Sequence, residues 1–495
     1  MPSERSRAAP RIAIIGCGFA GIGMAIRLKR MGLDSFTIYE AGADVGGTWR
    51  ENTYPGAACD IPSHLYSFSF EPNPFWSRTF ASQPEILVYL KRCADKYGLA
   101  PFVRFRTRVG AARFDEAARV WRLDVMTQGE TWRTVEADIV IAANGPLSRP
   151  SMPQIEGLER FTGKLFHSAC WDHDYPLEGK RVAVIGTGAS AIQFVPRIQP
   201  RVAHLAIYQR TPPWVMPRRD HTIGERAKRM FRALPLTQRL VRYALYWQHE
   251  ARALAFVIEP KLMKQPMAFS RSYLTRRIED PALRAKLTPQ YQLGCKRVLL
   301  SSDYYPALTQ PNVDLITTPI REIVADGIVT EDGEHHALDA IICGTGFKLN
   351  DAGAPFTVVG ANGADLDAQW RSSGPEAYLG TSIADFPNFF MITGPNTGLG
   401  HNSMVYMIES HITYVVDCLR MLQRQGARTM EVRREAQRKF NERLQQALRR
   451  TIWQTGCRSW YLSESGKNTA LWPGFSFMFR RLTRRVRPND YRFGA

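Results

Sequence analysis

Ile12-Ala13-Ile14-Ile15-Gly16-Cys17-Gly18-Phe19-Ala20-Gly21 is an apolar run that breaks into a G-x-G-x-x-G turn. A helix-like spacing of Ala25, Leu28 and Met31 follows and stops at Gly32. A second apolar run, Phe36-Thr37-Ile38-Tyr39, ends on Glu40. Strand, glycine turn, helix, strand and terminal acid together predict a βαβ dinucleotide-binding unit. Gly16 allows the tight turn, Gly18 lets the backbone approach a pyrophosphate, and Gly21 brings helix and strand together. The helix N-terminus offers unpaired N–H groups and a positive dipole to phosphate. Glu40, 24 residues after Gly16, is placed to accept hydrogen bonds from a ribose diol.

The chain repeats this plan. Val182-Ala183-Val184-Ile185 leads into Gly186-Thr187-Gly188-Ala189-Ser190-Ala191, a helix to about Ile198 and a strand over 204–208. Two nucleotide folds in one chain imply two nucleotides, and an α/β fold class with two Rossmann-like dinucleotide-binding domains. Arg210 stands 24 residues after Gly186, the same count that separates Glu40 from Gly16. An acid at this position suits a free ribose 2′-hydroxyl, whereas arginine suits a 2′-phosphate. The first site is therefore expected to take FAD or NAD, and the second NADP(H). Thr211 and the distant Lys296 are expected to add contacts to the same phosphate.

Composition sets the frame. With 495 residues, 44% hydrophobic and 22% charged, the chain has the makeup of a globular protein of two or three domains. Its first residues lack the apolar core of a secretory signal, and no window approaches the ~20 apolar residues of a membrane span. Eight cysteines lie scattered without a C-x-x-C pair. They read as reduced cytosolic thiols, with no disulfide framework and no metal site. The net charge of +19 is spread along the chain, with a cluster at Arg480, Arg481, Arg484, Arg485 and Arg487. No nucleic-acid module surrounds it. The charge reads as solvated surface that attracts anionic cofactors, with weak contact to acidic lipid or a partner left open at the C-terminus.

Gly46-Gly47-Thr48-Trp49 leads to Tyr54-Pro55-Gly56-Ala57-Ala58-Cys59-Asp60. Two glycines let backbone lie close to a flat ligand, and Trp49 can pack beside it. Asp60 sits among apolar neighbours, where an unpaired carboxylate is costly, so it needs a cation or hydrogen-bond donors. Residues 103–135 read as a β-meander, and 139–142 as a buried strand. From 215 to 290 the pattern is helical, over 226–234, 240–256, 262–277 and 283–287. A strand over 340–343 completes the second fold, after a short β-rich stretch at 313–330. The last third offers a strand at 388–393, a glycine turn at 394–400 and a helix over 403–422. That helix aims its positive end at the pyrimidine side of a flavin, favouring negative charge there. Residues 435–452 read as an amphipathic helix, and the aromatic stretch 460–474 either covers the active site or forms a packed C-terminal turn.

Between the two folds lies Phe161-Thr162-Gly163-Lys164-Leu165-Phe166-His167-Ser168-Ala169-Cys170-Trp171-Asp172. Here the sequence resembles the type I Baeyer–Villiger monooxygenases, class B flavoproteins with the fingerprint F-x-G-x-x-x-H-x-x-x-W-[P/D]. A second family pattern, [A/G]-G-x-W-x-x-x-x-[F/Y]-P-[G/M]-x-x-x-D, is met by Gly46, Gly47, Trp49, Tyr54, Pro55, Gly56 and Asp60. The resemblance runs from about residue 11 to 473. It implies FAD in the first fold and NADP(H) in the second, with a helical insertion in the NADP domain. The expected division is 1–150 and 348–495 for the FAD domain with the C-terminal segment. The NADP domain takes 151–215 and 293–347, with the linker at 161–172 and the insertion at 216–292. His167 and Trp171 are read as setting the relation between these domains, with no proton transfer assigned to His167.

By the same resemblance Arg297 sits over the flavin, paired with Asp60, and Met404 lies in the flavin contact. The expected cofactor-binding set also includes Phe19, Thr48, Tyr66 and Val109 for the first nucleotide. Thr187, Ser190 and Gln193 join it for the second. The implied reaction is NADPH- and oxygen-dependent conversion of a small hydrophobic ketone to an ester or lactone through a C4a-peroxyflavin, in the cytoplasm. Two rivals stay open: oxygenation of sulfides or amines, and a non-catalytic nucleotide-binding redox sensor.

Overall fold

Ile12–Ile15 is buried along its whole length because it lies at the centre of a parallel sheet covered on both faces. The structure, a computed structural model, describes residues 9–348, 355–457, 459–463 and 465–494. Strand order in the first sheet is Phe389–Met391, Ile139–Ala142, Ile12–Ile15, Phe36–Tyr39 and Val103–Arg104, all parallel. Strand period separates its side chains. Ile12 and Ile14 enter the core beneath the helix Phe19–Lys29, which packs in turn against Met404–Arg424. Ala13 and Ile15 face the antiparallel layer Thr107–Asp115, Val120–Thr127 and Arg133–Ala137, through Val109, Trp121 and Leu123. That layer is the expected meander, joined on its outer edge by Thr357–Val359.

The second sheet is also parallel, in the order Val313–Ile316, His204–Tyr208, Arg181–Ile185, Ala340–Cys343 and Lys164–His167. Val182 and Val184 feed one core, Ala183 and Ile185 the other. The two central turns match closely. Gly16 and Gly186 take φ of +102° and +104°, and a Cβ on either would meet a carbonyl oxygen, of Ala143 at 2.9 Å or Gly344 at 2.7 Å. The equal 24-residue counts nonetheless conceal an offset. Ile15 pairs with Tyr39, but Ile185 pairs with Tyr208. The second unit is one residue shorter, so Gln209 occupies the place of Glu40 and Arg210 follows it.

The helical segment forms Glu225–Ala233, Pro235–Ala251, Lys264–Arg277 and Pro281–Leu287. The expected helix at 240–256 begins earlier, where Pro235 suits a first turn, and ends in the π turn Leu254–Ile258. The long C-terminal helix starts at Met404, with the Ser403 hydroxyl accepting from the Val405 N–H at 3.2 Å. Among the described residues no helix is long and apolar enough to cross a membrane.

One expectation fails. Cys295 and Cys457, read as free thiols, are joined in a disulfide across 162 residues. Spacing carried no sign of it, because the partners meet only when the second fold and the C-terminal segment close on each other.

Candidate active site

The first nucleotide turn is built to leave polar backbone open. No side chain caps the helix Phe19–Lys29, and its first turn holds no acid, so its amides and dipole face an incoming anion unopposed. Gly47, at φ +52°, lies against Gly18, and a Cβ on Gly47 would come 3.1 Å from the Gly18 Cα. Two backbones without side chains thus form one wall of the turn. Glu40 is buried; its carboxylate accepts from the Cys17 N–H at 2.7 Å, the Gly42 N–H at 2.8 Å and the Arg50 Nη1 at 2.9 Å. Burial works against the Arg50 charge, but Glu40 and Glu51 outweigh it and its pKa is raised. Reading the sequence missed Arg50, since nothing local pairs it with an acid ten residues earlier.

The other first-site residues gather behind this turn. Trp49 Nε1 donates to Tyr66 Oη at 3.2 Å, and Tyr66 packs edge-on against Phe19. Thr48 starts the short helix Thr48–Glu51. Val109 is buried at the bulge of its strand.

At the second turn the helix Ala191–Ile198 likewise has no side-chain cap and no acid in its first turn. Thr187 Oγ1 donates to the Thr211 carbonyl at 3.4 Å. Arg210 is exposed, and Lys296 is half-buried with its Nζ 4.9 Å from the Tyr291 ring centroid. Burial and the Arg210 charge lower the Lys296 pKa. The two cations repel one another, and neither has a carboxylate partner among the described residues. Gln209, in the place of Glu40, is neutral and donates to the Lys286 carbonyl at 2.8 Å, so no acid opposes a phosphate here. Gln193 bonds residues of the first fold: its Oε1 accepts from Tyr54 Oη at 3.0 Å and its Nε2 donates to the Ala58 carbonyl at 3.0 Å.

Those two bonds belong to a seam between the two folds, where Asp60 also meets Arg297. Arg297 Nε and Nη2 both donate to Asp60 Oδ2, at 2.9 and 2.5 Å. The carboxylate raises the Arg297 pKa, burial opposing, so the guanidinium stays charged at any working pH. A third of the Arg297 side chain remains accessible (34%), and no partner of its Nη1 is found among the described residues. Arg218 adds a second seam contact, its Nη2 donating to the Cys59 carbonyl at 3.2 Å.

His167 closes the edge strand of the second sheet. It is buried, its Nδ1 accepts from the Ala169 N–H at 3.1 Å, and burial depresses its pKa, so the ring is neutral at neutral pH. Its ring meets Phe347, where the chain leaves the second sheet. Trp171 packs on Phe166 and Phe194, and Phe194 also meets Tyr54 of the first fold.

Much of the C-terminal aromatic stretch packs inward, while Trp460 is exposed. Tyr461, Leu471 and Trp472 join a core with Trp214, Phe256 and Trp453, against which Met404 and Val298 lie. Burial pushes the Tyr461 phenol up to about 12, Arg297 and Asp60 acting on it from nearby in opposite directions. The Cys295–Cys457 disulfide ties this stretch to the residue preceding Lys296-Arg297. Unreduced peptide mapping is expected to find the two peptides linked. Cross-links over long loops typically stabilise by about 2–4 kcal/mol. Reductant should therefore lower the apparent melting temperature of the wild type and leave Cys457→Ser unchanged; equal melting of both under all conditions would exclude the link.

Residues 9–244 match the family described as flavin-binding monooxygenase-like. The chain is 52% identical to a Baeyer–Villiger monooxygenase of Pseudomonas aeruginosa, over 97% of this chain and 91% of that one. It is 49% identical to a Baeyer–Villiger monooxygenase of Streptomyces coelicolor, over 97% and 92% of the two chains. The solved structure of OTEMO in complex with FAD and NADP is similar with a TM-score of 0.88 at 28% identity, over 98% and 99% of the two chains.

Proposed function

We infer the reaction from one premise: this chain belongs to the Baeyer–Villiger monooxygenase family. It is an NADPH- and FAD-dependent enzyme that inserts one atom of O₂ beside a ketone carbonyl to give an ester or lactone. The second oxygen leaves as water, and NADPH leaves as NADP⁺. The two uncapped helix N-termini and the glycine wall at Gly18 and Gly47 fit two dinucleotides. Bound there, flavin and nicotinamide supply the electrons and the activated oxygen, and the chain supplies position and charge.

The turn Gly16–Gly21 cradles the FAD pyrophosphate, and Glu40 accepts from the adenosine ribose. Trp49, Tyr66 and Val109 would contact the flavin side, and Met404, at the start of its helix, would join them. Gly186, Thr187, Gly188 and Ser190 hold the NADP pyrophosphate, while Arg210, Thr211 and Lys296 take the 2′-phosphate. Residues 1–150 and 348–495 are read as the FAD half, and 151–347 as the NADP half with its helical insertion at 216–292. Arg297 presents a fixed cation to the oxygen on which negative charge develops, and Asp60 orients it. The observation that carries this reading is the Asp60–Arg297 pair, which bridges the two halves and leaves an unbonded guanidinium edge. The substrate is a small hydrophobic ketone, and the enzyme works in the cytoplasm.

The test measures NADPH oxidation under ¹⁸O₂ with and without cyclic and linear ketones, with mass analysis of products. One ¹⁸O in an ester is expected. NADPH consumption with no ester from any ketone, or oxygen delivered only to sulfides, would overturn the reading.

A further inference from the structure

The helix Pro235–Ala251 buries a mostly polar side. It turns Gln238, Arg242, His249 and Glu250 toward the protein together with one aromatic residue, Tyr246, and leaves Leu236, Leu240, Tyr243 and Trp247 outside. The buried side is well satisfied. Gln238 Nε2 donates to the Asn73 carbonyl at 2.6 Å, and Arg242 Nη1 to the His64 carbonyl at 2.6 Å. His249 Nδ1 lies 3.0 Å from the His401 carbonyl, and Glu250 accepts from Asn402 Nδ2 at 2.6 Å and from Ser476 Oγ at 2.7 Å. The outward residues are 66%, 59%, 61% and 43% exposed. Their steps of four, three and four place them on one helical stripe.

The stripe continues onto the short helix Ser476–Leu482. Trp247 and Phe477 rings lie 5.9 Å apart, and Phe477, Met478 and Leu482 are exposed beyond them. The two segments that carry the stripe are basic. Arg239 on the first helix and Arg481, Arg484, Arg485 and Arg487 on and after the second are exposed, and neither 226–249 nor 465–487 contains an Asp or Glu. The acids that reach the second segment, Glu409 and Asp417, are engaged by Arg480 and by the Val486 N–H. Apolar stripes of this extent on a folded surface mark an interaction site.

The geometry points to an anionic lipid surface as the partner of this face. Aliphatic side chains with Tyr and Trp suit the headgroup boundary, and a basic rim suits acidic headgroups. A second copy of the chain is the poorer complement, because a twofold contact would set the same arginines against each other. None of the stripe residues is among those assigned to the nucleotides or to the Asp60–Arg297 pair. The same helix reaches the segment before Met404 only through its buried side, where Glu250 accepts from Asn402.

The full FAD-loaded protein is floated with vesicles of phosphatidylcholine alone, or with ~30% phosphatidylglycerol, in low and high salt. Binding is expected only with the anionic vesicles, and salt should release it. Each arginine adjoining the surface contributes about a fivefold factor, so Arg481→Glu/Arg484→Glu/Arg485→Glu should lose binding more than a hundredfold. Leu240→Ser/Trp247→Ser should weaken it at least tenfold, and both variants should turn over a soluble ketone at the wild-type rate. No vesicle binding by the wild type, or equal binding by the variants, overturns the inference. So does a dimer in light scattering that Leu240→Ser/Trp247→Ser dissociates without vesicles, which makes the face a contact between copies.

Discussion

Arg297→Ala enzyme is expected to keep consuming NADPH while ester formation falls at least a hundredfold and hydrogen peroxide takes its place. Removing one electrostatic partner from a preorganised site typically costs about 3 kcal/mol or more in the step it serves. The negative charge appears on oxygen after hydride transfer, so flavin reduction is affected less than oxygen insertion. The substitution also leaves Asp60 without the two bonds it accepts now. That carboxylate would lie unpaired in the seam, so FAD content and circular dichroism must accompany the kinetics. Arg297→Lys separates the effects: it keeps the charge but not the forked contact, and should recover part of the ester yield. Stopped-flow spectra distinguish slowed reduction from lost oxygen transfer. A folded, FAD-loaded Arg297→Ala protein that makes ester at the wild-type rate would remove Arg297 from the mechanism.

The second large effect concerns coenzyme choice. Arg210→Ala should raise KM for NADPH about ten- to a hundredfold and leave KM for NADH nearly unchanged. Losing a charge-assisted phosphate contact costs roughly 1.5–3 kcal/mol. Arg210 is exposed, so salt will screen its contribution, and the difference between coenzymes should shrink as ionic strength rises. Lys296 remains, and losing its like-charged neighbour relaxes the depression of its pKa. Lys296→Ala should therefore act in the same direction as Arg210→Ala. Equal losses with NADPH and NADH for both variants would show that these cations serve the fold and not the phosphate.

Several positions were legible before any coordinates because the chemistry is written in consecutive residues. Glycine turns, apolar runs and a helix between them specify a βαβ unit locally, and the unit occurs twice with almost identical turn geometry. Asp60 was marked by its apolar neighbours as an acid in need of a cation, and the structure sets Arg297 against it across 237 residues. The counting that linked Arg210 to Glu40 was less secure. Loop length is invisible to a residue count, and only strand register shows that Gln209 stands where Glu40 does.

By itself the sequence determined what neighbours along the chain decide: strand period, turn glycines, helix starts and the residue types offered to two nucleotides. Tertiary structure alone decided which distant groups meet. The Glu40–Arg50 pair, the seam held by Gln193 and Arg218, and the disulfide between Cys295 and Cys457 are of this kind. So is the orientation of the helix Pro235–Ala251, whose apolar stripe would ordinarily be assigned to the core. The physical reason is that periodicity states which residues share a face but not which face turns inward. Here the decision falls to Gln238, Arg242 and Glu250, whose hydrogen-bond partners lie on segments more than a hundred residues away and hold the polar side down.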